Sequence, residues 1–235
     1  MSKQYIWNFF KSKLNNEYGV AGLMGNLQAE SGLHCDRVQG DIPYSNYSKE
    51  YTAKVDSGEI SEHDFVYNGV GGGGYGLAQW TFWSRKQALY NMYKSGGYSS
   101  IGSVELACDF LWSELQSTYA PVLNVLKNAT SIREASDKVL HDFENPADQS
   151  TSVEELRANL GQAIYNELSG SGGGDIPDTP DPPIDPDDPD DPKPSTQKKH
   201  KFKFVIFSTA KKRRKPQYAE TRFSKLHNKN RVLRK

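Results

Sequence analysis

The sequence predicts a mainly α domain over residues 1–170, followed by a spacer and a short basic tail. Apolar residues recur at helical spacing in several segments before residue 170. Several of these segments begin with serine or asparagine, which cap helix N-termini, and none shows a strongly alternating strand pattern. After residue 170 the composition changes to glycine, then to aspartate and proline, and finally to lysine and arginine.

The domain is organised around a predicted helix that ends at Gly32. Its apolar side chains form one stripe, made by Val20, Leu23, Met24 and Leu27. Glu30 extends this stripe by one turn, and because burial disfavours the charged form, we expect its pKa to be raised. A carboxylic acid still protonated near neutral pH can act as a general acid in glycoside cleavage. The alternative is that Glu30 caps a neighbouring loop or pairs with an arginine.

The remaining helices are predicted from residues that cap helix N-termini and from residues that end helices. The first begins after Ser2, and Asn15-Asn16 ends it and can cap the second. Further helices are predicted at residues 47–55, after Ser61, from Thr81 or Ser84 to Ser95, after Ser103, and over residues 121–126. Ser131 and Ser152 each precede a glutamate by three residues, which is the capping-box pattern, and they open the last two predicted helices.

The zero formal net charge conceals three segments of different charge. Residues 1–174 carry a net charge of −7, residues 175–197 another −7, and residues 198–235 a net charge of +14. We therefore divide the chain into a domain (1–170), a linker rich first in glycine and then in Asp and Pro (171–197), and a basic tail (198–235). The linker is expected to be disordered and extended. The tail has too few apolar residues to fold alone beyond one strand or hairpin.

Several classes of protein and site are disfavoured. No apolar run approaches the ~20 residues that span a bilayer, and the N-terminus does not resemble a secretory signal. Two cysteines, Cys35 and Cys108, are too few for a disulfide framework; two free buried thiols are favoured over a single bridge. The histidines are scattered without ligand spacing, so no metal and no cofactor is expected.

An irregular segment precedes the second distinctive motif. Residues 33–74 are the least regular part of the chain and contain several turn-forming residues; the glycine-rich run over residues 69–76 leads directly into Tyr75-Gly-Leu-Ala-Gln-Trp80. Glycine-rich runs are often linkers. The aromatic and small residues that follow favour a loop of permissive backbone that lines a cleft.

Together, these motifs resemble the phage tail-tip lysozymes, within the wider group of lysozyme-like proteins and lytic transglycosylases. The pairing of Glu30-Ser31 with a later Gly-Leu-x-Gln is also similar to goose-type lysozymes. The resemblance covers residues 3–168, and its six motifs occur in the expected order: Met24-Gly-Asn26, Glu30-Ser-Gly32, Val38-Gln39, Gly74–Trp80 with Arg85, Phe110–Leu115, and Phe143–Pro146. Each motif alone is weak, but together they are fairly specific.

The resemblance implies a lysozyme-like fold and cleavage of the β-1,4 bond between N-acetylmuramic acid and N-acetylglucosamine in peptidoglycan. Glu30 would be the proton donor, in agreement with its position on the apolar stripe. Gln39 would brace the loop that follows Glu30 or contact substrate. Substrate-binding roles are implied for Tyr75, Gly76, Gln79 and Trp80, with core packing as the alternative for Trp80. Tyr67 is a further aromatic candidate for sugar contact, whereas Trp83 is expected in the core and Glu144 is expected to hold the fold.

The second carboxylate that glycosidases commonly use is unsettled. Asp36, Asp41, Asp56 and Asp64 all lie in the irregular segment. Asp41 is preferred among them because it follows Gln39 closely, although turn capping is favoured over catalysis as its role. Without a second carboxylate, the substrate's own groups would complete the reaction and give a 1,6-anhydro product, as in lytic transglycosylases.

The sequence thus predicts a muramidase carried on a phage tail that acts on the bacterial cell wall. A virion would deliver the enzyme without a signal peptide. Phage tail proteins are expected partners, and the basic tail is expected to bind anionic wall polymer, a membrane surface or nucleic acid. It could instead be solubilising or fold back onto the acidic linker. Two further classes remain alternatives: a non-catalytic wall-binding or tail structural module, and a nucleic-acid-binding protein.

Overall fold

The computed structural model describes residues 2–67 and 73–170. All of them belong to the first of two units, Met1–Pro177. The predicted linker, the predicted strand or hairpin of the basic tail, and residues 69–72 of the glycine-rich run lie outside the described residues.

The predicted mainly α class is confirmed. The described residues form nine α-helices: α1 (Ser2–Leu14), α2 (Glu17–Ser31), α3 (Asn46–Ser57), α4 (Glu62–Tyr67), α5 (Trp83–Gly96), α6 (Val104–Gln116), α7 (Ala120–Asn128), α8 (Ile132–Val139) and α9 (Thr151–Leu168). A π-helical turn, Leu140–Glu144, follows α8. In the described part of the chain, β pairing is limited to isolated bridges that join Tyr75 to Val38 and to Trp80.

Helix α2 is the centre of the domain and packs against α1, α7, α8 and α9. It is buried along nearly its whole length, so it needs small residues where other helices cross it. At Gly25 a Cβ atom would lie 2.3 Å from the carbonyl oxygen of Arg157 and 2.6 Å from the amide nitrogen of Gly161. The absence of a side chain at Gly25 therefore lets α9 approach the backbone of α2.

Local capping explains several helix boundaries. Asn16 caps α2, Ser103 caps α6 and Ser131 caps α8, each through a side-chain oxygen that accepts a backbone N–H hydrogen bond. The capping box predicted at Ser152 is wrong, because α9 begins at Thr151 and Ser152 lies inside it.

The start predicted for α5 at Thr81 or Ser84 is also wrong. Helix α5 begins at Trp83 after Phe82, without a side-chain cap. The hydroxyl of Thr81 instead donates to the carbonyl oxygen of Gln79, so it is engaged with the preceding loop.

Cys35 and Cys108 are buried and free, as predicted. Burial raises the pKa of the Cys35 thiol to about 12, which keeps it protonated. Among the described residues, no helix is both long enough and apolar enough to cross a membrane.

Candidate active site

Glu30 lies in the last turn of α2, where the buried helix reaches the surface. The helix ends at Gly32, which adopts the left-handed conformation (φ 68°) and donates its N–H to the carbonyl oxygen of Gln28. Ser31 is buried, and its hydroxyl donates to the carbonyl oxygen of Leu27. The Glu30 side chain is 23% exposed. Glu30 is therefore a partly accessible carboxyl group on a well-fixed helix end.

The partner of Glu30 is Arg157 of α9. Arg157 Nη2 donates to Glu30 Oε1 at 2.6 Å, and Nη1 donates to Asn26 Oδ1 at 3.1 Å. Only 9% of the Arg157 side chain is exposed. The structure thus shows Glu30 paired with an arginine, which is one of the alternatives that the sequence left open for it. Sequence reasoning missed Arg157, although it falls on the helical stripe of Gly161, Ile164 and Leu168 that α9 buries.

Asn26 fixes the guanidinium of Arg157 from the other side. It is fully buried, and its amide group donates to the carbonyl oxygen of Gly22 and to both the carbonyl and hydroxyl oxygens of Ser136. With the donor group engaged in this way, Oδ1 is directed to Arg157. Helices α2, α8 and α9 therefore meet at one polar contact directly beneath Glu30.

The loop over residues 74–80 is joined to the end of α2 through Arg37. Arg37 donates from Nη1 to the carbonyl oxygen of Ser31 at 3.0 Å. The carbonyl oxygen of Arg37 accepts the backbone N–H of Gly76 at 2.8 Å and the Gln79 side-chain amide at 3.1 Å. Gly76 and Gln79 both have positive φ values, 76° and 46°, so this turn has an unusual backbone shape. Arg37 thus ties both residues to the segment that follows Glu30.

Gln39 braces the same loop. Its side-chain oxygen accepts the N–H of Gly74 at 2.7 Å, and its backbone N–H donates to the carbonyl oxygen of Gly74 at 2.9 Å. This double contact is the bracing role considered for Gln39 from the sequence. Its side-chain oxygen is engaged within the protein.

The rings of Tyr75 and Trp80 belong to the core, and this corrects the expectation that they offer flat faces to sugars. They are 2% and 1% exposed, respectively. The Tyr75 ring packs edge-on against Phe65, with ring centroids 5.2 Å apart, and Trp80 packs against Phe110 at 5.1 Å. Packing of these rings fixes the loop from within.

A different pair of aromatic residues is exposed. Tyr67 and Trp83 stack with their ring centroids 5.7 Å apart and their planes 24° apart. Half of Tyr67 and 57% of Trp83 are accessible, and the neighbouring Phe82 is 72% exposed. The expectation that Trp83 packs in the core is therefore wrong: Trp83 is the first residue of α5, and its ring stacks on Tyr67 at the surface.

Asp41 is engaged by the start of α3. Its carboxylate accepts four hydrogen bonds, from the backbone N–H and the hydroxyl group of both Ser45 and Ser48. The side-chain bonds from Ser45 and Ser48 lower the pKa of Asp41 to about 2. These contacts describe a turn-capping carboxylate, the alternative role for Asp41.

A further group of charges lies near Glu30, and sequence reasoning did not assemble it. Arg85 pairs with Glu114 through Nε at 2.6 Å and Nη2 at 2.8 Å, and Trp80 Nε1 also donates to Glu114 at 2.9 Å. Glu144, at the end of the π-helical turn, has a buried Oε1 without a hydrogen-bond partner among the described residues. Burial first, and then the negative charge of Glu30, raises the pKa of Glu144.

Comparison with known proteins places this site in a family. No curated protein matches the chain. A family model described as phage tail lysozyme matches residues 2–168, which include every described helix and each of the site residues named above. The match covers well over half of the chain and spans both the Glu30 helix and the loop over residues 74–80. The chain therefore belongs to the phage tail lysozyme family and is a lysozyme-like, peptidoglycan-acting enzyme, of either the glycoside hydrolase or the transglycosylase type.

Proposed function

We propose that this protein is a muramidase that cleaves the β-1,4 bond between N-acetylmuramic acid and N-acetylglucosamine, with Glu30 as general acid. The observation that carries the proposal is the position of Glu30. Its carboxyl group is 23% exposed at the end of an otherwise buried helix and beside Arg157. Such a group can reach a glycosidic oxygen while the helix fixes its direction. In the proposed reaction, Glu30 gives its proton to the leaving oxygen as the bond breaks.

The substrate would lie along the loop that Arg37 ties to the end of α2. In the proposal, the backbone around Gly76, together with Gln79, contacts sugar near Glu30. Gln39 supports this loop through Gly74. Flat apolar contact with a more distant sugar is assigned to the exposed pair of Tyr67 and Trp83, because aromatic faces with polar neighbours are typical of ligand-binding surfaces.

A lytic transglycosylase reaction is the second candidate, and the contacts of Asp41 favour it. A hydrolase of this kind commonly uses a second carboxylate as base or nucleophile. Asp41 is the candidate for that role from the sequence, but both of its oxygens accept hydrogen bonds from Ser45 and Ser48. If Asp41 stays bound to these serines, the substrate itself must supply the attacking oxygen, and the product carries a 1,6-anhydro ring.

Mass spectrometry of the soluble products from purified peptidoglycan tests both candidates. The full chain is compared with Glu30→Gln and with Glu17→Gln, a control in the first turn of the same helix. Reducing N-acetylmuramic acid ends would support the muramidase, and 1,6-anhydro ends the transglycosylase. Both proposals require that Glu30→Gln abolish these products and that Glu17→Gln release them. Cleaved peptides with intact glycan would overturn both.

We also propose that the enzyme acts from the virion tail and that residues 198–235 hold it to anionic wall polymer. The proposal rests on the net charge of +14 in this segment and on the family match. Binding of the full chain and of residues 1–170 to walls with and without anionic polymer is measured across salt concentrations. Steeply salt-dependent binding that needs both the tail and the polymer is expected. DNA and anionic vesicles are tested in parallel, and equal binding to them would contradict specificity for the wall.

A further inference from the structure

The charged groups around Glu30 form a cluster that the proposed function uses only in part. We call it the carboxyl–arginine cluster; its members come from five segments and are Glu30, Arg85, Glu114, Glu144 and Arg157. Arg157 pairs with Glu30 and Arg85 pairs with Glu114, each at 2.6 Å. Glu144 interacts electrostatically with all four other members. The cluster therefore connects Glu30 to Glu144, which the proposed function does not use.

Glu144 is in an unusual environment for a carboxylate. Its Oε1 is buried and makes no hydrogen bond with any residue that the structure describes. An ionised carboxylate without such bonds is strongly disfavoured away from water, whereas the neutral acid loses much less. Burial has the largest effect and raises the pKa of Glu144; the negative charges of Glu30 and Glu114 act in the same direction, and the guanidinium groups of Arg157 and Arg85 act in the opposite direction without reversing the rise. The environment of Glu144 therefore favours its protonated form.

The formal charges of the cluster lead to the same state. Three ionised carboxylates and two guanidinium groups would leave one uncompensated negative charge, which a single proton removes. The Glu114 carboxylate already accepts two hydrogen bonds from Arg85 and one from Trp80. Glu30 and Glu144 are therefore the two carboxyl groups that are left to hold this proton.

We infer that Glu30 and Glu144 share one proton at neutral pH, that Glu144 holds it in the free protein, and that it passes to Glu30 when substrate is bound. This inference rests on the proposed role of Glu30 as general acid. Glu144 loses its O–H bond and Glu30 gains one, so the number of protons in the cluster is unchanged. The positive charges of Arg157 and Arg85 then stabilise the ionised Glu144. Glu144 does not touch substrate and is a positioning residue that supplies the acid proton.

The pH dependence of glycan cleavage tests this role. In Glu144→Gln the neighbouring side chain can neither supply the proton nor repel the charge on Glu30. We expect the alkaline limb of the kcat profile to move at least about one pH unit lower. The value of kcat at pH 7 falls about tenfold or more, and KM stays the same. Glu154→Gln, one turn from Arg157 on α9, is the control and leaves the limb in place. An unchanged limb in Glu144→Gln would show that Glu144 is merely structural.

Infrared spectroscopy of the full chain separates this inference from the proposed function, because it requires no activity. At pH 7 the wild-type protein should show the carbonyl band of one protonated carboxyl group. Labelling with ¹³C-glutamate should shift that band, and Glu144→Gln should remove it while Glu154→Gln retains it. If the variant does not fold, the spectrum of the labelled wild-type protein still shows whether one glutamate side chain is protonated at pH 7. Absence of the band from the wild-type spectrum would overturn the inference, whatever the activity.

Discussion

Arg157 and Glu30 lie 127 residues apart in the sequence, yet their side chains form an ion pair of 2.6 Å at the end of the central helix. The pair depends on the close crossing of α9 over Gly25, which brings the Arg157 backbone to the surface of α2. Asn26 Oδ1 accepts a hydrogen bond from the other side of the Arg157 guanidinium, which fixes the direction of that group. One crossing of two helices therefore determines the surroundings of the proposed acid.

A double-mutant cycle should measure strong coupling in this pair. Glu30→Gln and Arg157→Met should each destabilise the protein, because each leaves a charged or polar partner unsatisfied. We expect a coupling free energy of at least about 1 kcal/mol from urea unfolding of the two single variants and the double variant. Lys3 and Glu167, an exposed ion pair between α1 and α9, provide the control cycle, with coupling below about 1 kcal/mol. Equal coupling in both cycles would contradict a special role for Arg157.

Features that depend on neighbouring residues could be predicted from the sequence. The caps at Asn16, Ser103 and Ser131 and the helix end at Gly32 follow from short-range chemistry, and all four are confirmed. Ser152 shows the limit of such reasoning. Both Ser150 and Ser152 can cap a helix by type, and the structure begins α9 between them without a side-chain cap.

The partners within the site could not be predicted in the same way. Arg157 contacts Glu30 because α9 crosses α2 closely at Gly25. The residues around Glu30 do not indicate that Arg157 is its partner, and those around Arg157 do not indicate Glu30. The burial of aromatic residues has the same origin. Trp80 and Trp83 are three residues apart, but Trp80 faces α6 while Trp83 faces solvent. That difference depends on the turn made by Gly76 and Gln79, whose positive φ values are a tertiary feature.

Gly25→Ala should strongly destabilise the protein. The new methyl group would lie 2.3 Å from a backbone oxygen of α9, and neither helix backbone can move freely at this buried crossing. We expect a loss of about 2 kcal/mol or more, seen as a fall in Tm of at least about 5 °C. Gly170→Ala, where an added Cβ meets nothing within 4 Å, is the matched control. A fall in Tm of similar size in the control would mean that general effects of alanine explain the loss.

Asp41→Asn should destabilise the fold in a pH-dependent manner. Because the pKa of Asp41 is lowered from 3.8 to about 2 in the folded state, its ionised form stabilises the protein above pH 4. This stabilisation is lost as the pH falls from about 4 to about 2. The difference in Tm between wild type and variant should therefore be largest near neutral pH and shrink toward pH 2.

Glu50→Gln, on the helix α3 whose start Asp41 engages, is the control, and its Tm difference should stay small throughout. The Asp41→Asn variant also addresses catalysis. Substantial wall lysis at a temperature where the variant is folded would identify Asp41 as a capping residue. Complete loss of lysis by folded protein would restore it as the second carboxylate.

Trp83→Ala should weaken substrate binding without unfolding the protein. Trp83 is 57% exposed and stacks on Tyr67, so its removal leaves no cavity in the core but takes away a flat apolar face. We expect the KM for soluble glycan fragments to rise about three- to tenfold, with Tm nearly unchanged. Tyr18→Ala is the control, because Tyr18 is also exposed and packs on Tyr165. It lies about 18 Å along α2 from Glu30 and should leave KM unaffected. A normal KM in Trp83→Ala would remove Trp83 from the proposed glycan path.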